Sequence, residues 1–154
     1  MAITTSAITS SFKNQLLEAK HNFDASSGDK FKLALYTAGS GAPYSTGSTV
    51  YTSGTANQVG TSGTGYSTGG NTLTSQAVAS GTAVASVDFA DSEWTSATFT
   101  AAYGVIYNSS TVDSTADRLV VVLDFGGNKT CTNGTFKVTF PDPSTPSNAI
   151  LSMS

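Results

Sequence analysis

Between Arg118 and Gly127 the chain reads Arg-Leu-Val-Val-Val-Leu-Asp-Phe-Gly-Gly, its longest β-branched apolar run. About four to eight such residues between turn signals describe a strand buried on both faces. A helix is the poorer reading, because three consecutive valines are stiff at χ1 and Gly126-Gly127 closes the run at once. A strand of this kind belongs at the centre of a sheet, with the rest of the chain packed around it.

The flanking segments supply its neighbours. Residues 30–37 alternate, with Phe31, Leu33 and Leu35 on one face and Lys32, Ala34 and Tyr36 on the other. Residues 71–79 and 82–89 read as strands joined by a tight turn at Ser80-Gly81, the second with Ala83, Ala85, Val87 and Phe89 pointing one way. Residues 90–96 read as a turn around Trp94, and 97–108 as a long strand in which Gly104 marks a bulge or a close backbone contact. A polar loop, 109–117, leads into the central strand. After Gly127 comes an excursion with Cys131 and a turn at Asn133-Gly134. Residues 135–140 then alternate with Phe136, Val138 and Phe140 inward, and a Pro-rich turn at 141–146 precedes a last strand at 148–153. The one good helix is 8–21: Ile8, Phe12, Leu16 and Ala19 share a face, Thr9, Ser10 or Ser11 caps its start, and Asn22 takes the left-handed turn at its end. Many closely spaced strands without βαβ alternation or a fixed repeat predict a mainly β chain. The expected architecture is an antiparallel β-sandwich, jelly roll or barrel in a single domain, 1–154, with the helix lying on a sheet or across its end.

One stretch resists this pattern. From Leu33 to Val87 there is no charged residue, and residues 38–70 are Gly, Ser, Thr and Tyr with almost no aliphatic content. Unstructured loops this long are uncommon in compact domains, and disordered segments are ordinarily kept soluble by charge. Tyr44, Tyr51 and Tyr66, spaced by small residues, have the composition of a binding loop or an interface centre. The expectation is an extended arm packed on a neighbouring subunit through these tyrosines. A loop folded back on its own domain and a free linker are the alternatives.

Reactive chemistry is hard to place. The only histidine, His21, is expected to face solvent at the end of the helix, and no Gly-x-Ser-x-Gly elbow is present. Asp88, Asp91 and Glu93 lack the spacing and central glycine of a calcium loop and read as a solvated turn. Gly63–Gly70 neither follows a strand nor opens a helix, so it is not a phosphate-binding turn. Asp124-Phe125-Gly126 is a strand end, without the rest of a kinase. No catalytic residue, cofactor or metal site is expected. A net charge of −3, with only 11% charged residues and scattered cations, argues against nucleic acid as partner. The single Cys131 fits assembly in a reducing cytoplasm, and no signal peptide or membrane-spanning run is expected. Counts of 23 Ser and 24 Thr make the three Asn-x-Ser/Thr matches unremarkable as chance.

Several blocks are nevertheless familiar. Met1-Ala-Ile-Thr-Thr-Ser6 followed by Ser11-Phe-Lys-Asn-Gln-Leu-Leu17, Phe31-Lys-Leu-Ala-Leu-Tyr-Thr37, Gly63-Thr-Gly-Tyr-Ser-Thr-Gly-Gly70, Val87-Asp-Phe-Ala-Asp91 with Trp94, Tyr103-Gly-Val-Ile-Tyr-Asn108, and Val121-Val-Leu-Asp-Phe-Gly-Gly127 span nearly the whole chain. In this order they resemble a family of small virion structural proteins of tailed bacteriophages, the capsid decoration or cement proteins. The resemblance implies a non-enzymatic component of the capsid surface, assembled in the host cytoplasm. Its implied partners are the major capsid protein and copies of itself, as a homotrimer. A tail or fibre module that binds a host receptor or glycan is the alternative.

Overall fold

The computed structural model describes residues 7–39, 43–81, 84–141 and 149–153. The elements run β1 (Ala7–Ile8), α1 (Ser10–Leu17), β2 (Phe31–Tyr36), β3 (Asn71–Thr72), β4 (Ala77–Gly81), β5 (Val84–Asp88), β6 (Ser92–Asn108), β7 (Arg118–Val138) and β8 (Leu151–Met153). They form a mainly β, sandwich-like fold of two antiparallel sheets: five strands in the order β1-β7-β6-β2-β3, and three in the order β4-β5-β8.

The apolar run at 118–127 does lie inside the larger sheet, between β1 and β6, and Leu119, Val120, Val121 and Val122 are all buried. It does not stop at the glycines. Two steps along β6, from Ala101 to Tyr103, are matched by five along β7, from Lys129 to Asp124. Gly126 and Gly127 absorb this bulge at φ +70° and +110°, values a side chain would strain. The expected turn at Asn133-Gly134 is also continuous strand, with Asn133 at φ +48°. Likewise 90–96 is not a turn: β6 begins at Ser92, and Trp94 is buried opposite Phe136.

Other boundaries shift for local reasons. The stretch 71–79 breaks into β3 and β4 around Ser75, which sits at φ +53°. β4 runs through Ser80-Gly81, with Gly81 paired to Val84, so the expected tight turn at Ser80-Gly81 is strand, and the expected inward Ala83 lies outside the described residues. Residue 148, the expected start of the last strand, and most of the turn at 141–146 lie outside them too; β8 begins at Leu151. The helix is shorter than 8–21. Thr9 caps it by accepting the Phe12 N–H, and Ala19 at φ +55° ends it, not Asn22. Phe12 is buried and Leu16 half-buried as expected, whereas Ala19 is exposed.

Both faces of the larger sheet are covered. One carries the main core, in which Leu33, Ile106 and Val120 meet Phe12 of α1 and Leu151 of the small sheet. The other holds Ala34, Tyr36, Val105, Tyr107 and Leu119, and over these lie Tyr44 and Tyr51 from the long loop. Double cover explains why β2 and the first half of β7 are apolar on both sides.

Candidate interaction surface

The tyrosines singled out in the sequence do not line an outward arm. Tyr44, Tyr51 and Tyr66 are 9%, 5% and 3% exposed and face their own sheet. Tyr51 stacks on Tyr107 with ring centroids 4.1 Å apart and planes 6° from parallel, and Tyr44 meets Tyr36 edge-on at 5.8 Å. Gln58 Nε2 donates to the hydroxyls of both Tyr51 and Tyr66, at 3.0 and 3.1 Å. The Tyr66 hydroxyl also accepts the Leu35 N–H at 3.1 Å, and Tyr107 donates to Gly69 O at 2.8 Å. Burial pushes the Tyr36, Tyr66 and Tyr107 hydroxyls above their ordinary range, so they remain neutral hydrogen-bonding groups. Backbone bonds from Thr37 to Asn57 and from Val59 to Leu35 complete the seam. The described part of residues 38–70 is thus a loop folded back on its own domain. An uncharged segment can lie on an apolar sheet without stranding an ion.

His21 likewise does not face solvent. It is 9% exposed, packed against Phe12 with 4.8 Å between ring centroids. Nε2 lies 2.9 Å from Gln15 Oε1 and Nδ1 lies 3.1 Å from Asn108 Nδ2, an amide that also donates to Asp29 at 2.8 Å. Asn108 can only donate here, so Nδ1 accepts and Nε2–H donates, and both ring nitrogens are engaged. Burial lowers the His21 pKa to about 4, partly offset by Asp29. In the window between 6.5 and about 4 the unfolded chain binds a proton that the folded chain refuses, so the His21 contribution to stability falls as pH drops through it and levels off below. The expected loss is on the order of 2 kcal/mol after allowance for partial solvent access. Denaturant midpoints at stepped pH should show this slope in the native chain and not in His21→Gln.

The acidic group near Trp94 is held by a cation of the protein itself. Lys137 Nζ lies 3.0 Å from Asp91 and 3.1 Å from Glu93, and Asp91 accepts the Phe140 N–H at 2.9 Å. Lys137 first, then that N–H, holds the Asp91 carboxyl below the usual range. Among the described residues no three His, Cys, Asp or Glu converge as metal ligands.

A surface the sequence did not flag stands out instead. Between α1 and the small sheet lies a cleft of about 450 Å³, walled by Phe12, Leu16 and Leu17 on one side and Val78, Val87 and Met153 on the other. Apart from Lys13 and two serines its lining is apolar. Four large apolar side chains among the described residues are exposed, and three of them form the rim: Leu17 at 90%, Val78 at 62% and Met153 at 60%. The strand register explains the convergence, since Val78 pairs with Val87 and Val87 with Leu151, so alternate residues share the face toward α1. The sequence held one clue. With Phe12 and Leu16 on the buried stripe, the adjacent Leu17 has to point away from it. Among the described residues no aromatic side chain is exposed; even Tyr103 and Phe125 are half-buried. No protein-family profile, curated protein or solved structure matches the chain.

Proposed function

We propose that the chain is a non-enzymatic structural subunit of a tailed-phage particle that decorates or cements the capsid, with the apolar cleft as its contact to the shell. The observation that carries this reading is the gathering of Leu17, Val78 and Met153 around one cleft, since contiguous exposed apolar surface marks interaction sites. The block-by-block resemblance to virion structural proteins supplies the setting. A shell contact needs exposed apolar area with few ionised groups at its centre, and the cleft offers a single cation, Lys13, in its lining. Among the described residues every aromatic side chain is buried or half-buried, which favours the capsid over the fibre alternative.

Purified protein mixed with bare capsids of the parent particle should co-sediment with them and not bind free shell subunits. Leu17→Glu should weaken that binding about 10- to 100-fold, because burying a leucine is worth roughly 1.5–3 kcal/mol. Leu17 makes little of the fold at 90% exposure, so the thermal midpoint should hardly move. Persistent failure of the native protein to pellet with shells overturns the proposal.

A further inference from the structure

Unpaired strand edges are ordinarily blunted by brevity, charge, proline or bulges, because a bare edge recruits another strand. Most edges here are managed in that way. β1 and β3 have two residues each and β8 has three. The overhang of β7 beyond Val122 is bulged at Gly126-Gly127 and carries Asp124, Lys129 and Lys137. Among the described residues β4 carries none of these devices. It is the edge of the small sheet, five residues long, reads Ala-Val-Ala-Ser-Gly, and only Ala79 is even half-buried.

The missing charge indicates what the edge meets. When two copies pair about a two-fold axis, each residue near the axis lies opposite or diagonal to its own image, so any ion there is close enough to repel itself. β4 and the chain around it, from Leu33 to Val87, hold no ionised side chain. A foreign strand would be selected by opposite charge or by deep side-chain pockets, and β4 offers neither. Its side chains also interleave with themselves. Antiparallel pairing centred on Ala79 sets Val78 of one copy opposite Ser80 of the other, and Ala77 opposite Gly81, small against small on the far face.

We infer that β4 is a contact between two copies of this chain, joining their small sheets edge to edge into one six-stranded antiparallel sheet, β8-β5-β4 continued by its two-fold mate. Five residues of ladder bury less than the roughly 1,200 Å² of stable complexes, so the free dimer is weak and concentration-dependent. Copies held close on a common surface would pair far more completely. The inference does not depend on the capsid reading, and Ser80 does not line the cleft.

Sedimentation velocity on the full chain over a concentration series tests it. The native protein should move from monomer to dimer as concentration rises. Ser80→Lys and Ser80→Glu, at an exposed position, should each weaken the dimer at least tenfold, and an equimolar mixture of the two should restore it. A native chain that stays monomeric throughout, dimers that persist in both variants, or a mixture that fails to re-associate would each overturn the inference. Capsid co-sedimentation of the same variants reads the other surface, so failure of one reading is visible apart from failure of the other.

Discussion

Gly70→Ala is expected to lose about 4 kcal/mol of stability or more, enough to unfold much of the population of a domain whose total is about 5–15 kcal/mol. Gly70 sits at φ +73°, and a Cβ built on it would fall 1.8 Å from Leu33 O and 2.5 Å from Leu33 C. Those atoms belong to β2, buried on both faces and paired with β6 over all six of its residues, so they cannot retreat. The substituted chain must therefore release the end of the long loop, together with the Leu33–Asn71 pairing that follows it. Gly63→Ala separates the two contributions. Gly63 has φ +69° but open space around it, so its substitution carries only the left-handed penalty of about 1–2 kcal/mol. Denaturant titrations of both variants provide the check; equal losses would mean that the close approach to β2 is not what fixes the glycine.

Phe31→Ala is expected to remove about 3–5 kcal/mol, the range for deleting a buried phenylalanine and leaving a cavity. Phe31 is fully buried, its ring 4.5 Å from Phe23 with planes 7° from parallel, and 5.6 Å from Phe89. Phe23 belongs to the connection from α1 to β2, so the cavity opens beneath the segment that also holds His21, whose ring centroid is 6.4 Å from Phe31. Weakened protection of the His21–Asn108 bond should accompany the loss. Phe31→Leu, which keeps most of the volume, should cost about 1.5 kcal/mol or less. A loss below about 1 kcal/mol for the alanine variant would show that the stack contributes little.

What the sequence made legible were patterns with one physical meaning. Alternation across Phe31–Tyr36 and the valine run at Leu119–Val122 could only be strands, and each proved to be covered on two sides. Ambiguity entered where one residue type serves two ends. Gly126-Gly127 can end a strand or bulge one, and the choice depends on whether β6 continues alongside. The tyrosine-bearing loop suits a neighbour's surface or its own sheet equally well. The clue was Tyr36 and Tyr107 on the outer face of that sheet, large side chains that needed a cover. The burial of His21 depends on Gln15, polar yet on the buried side of α1, and nothing in their spacing marks the two as partners. Beyond Leu17 the cleft leaves no mark in the sequence, since Val78 and Met153 meet only through the pairing of β4, β5 and β8.

The most direct measurement is an image of the parent particle at a resolution that locates this subunit. Density for the β domain should lie on the outer face of the capsid, with the α1 cleft turned toward the shell. Density confined to the tail or a fibre, or a subunit seated on the shell with Leu17, Val78 and Met153 facing solvent, would contradict it.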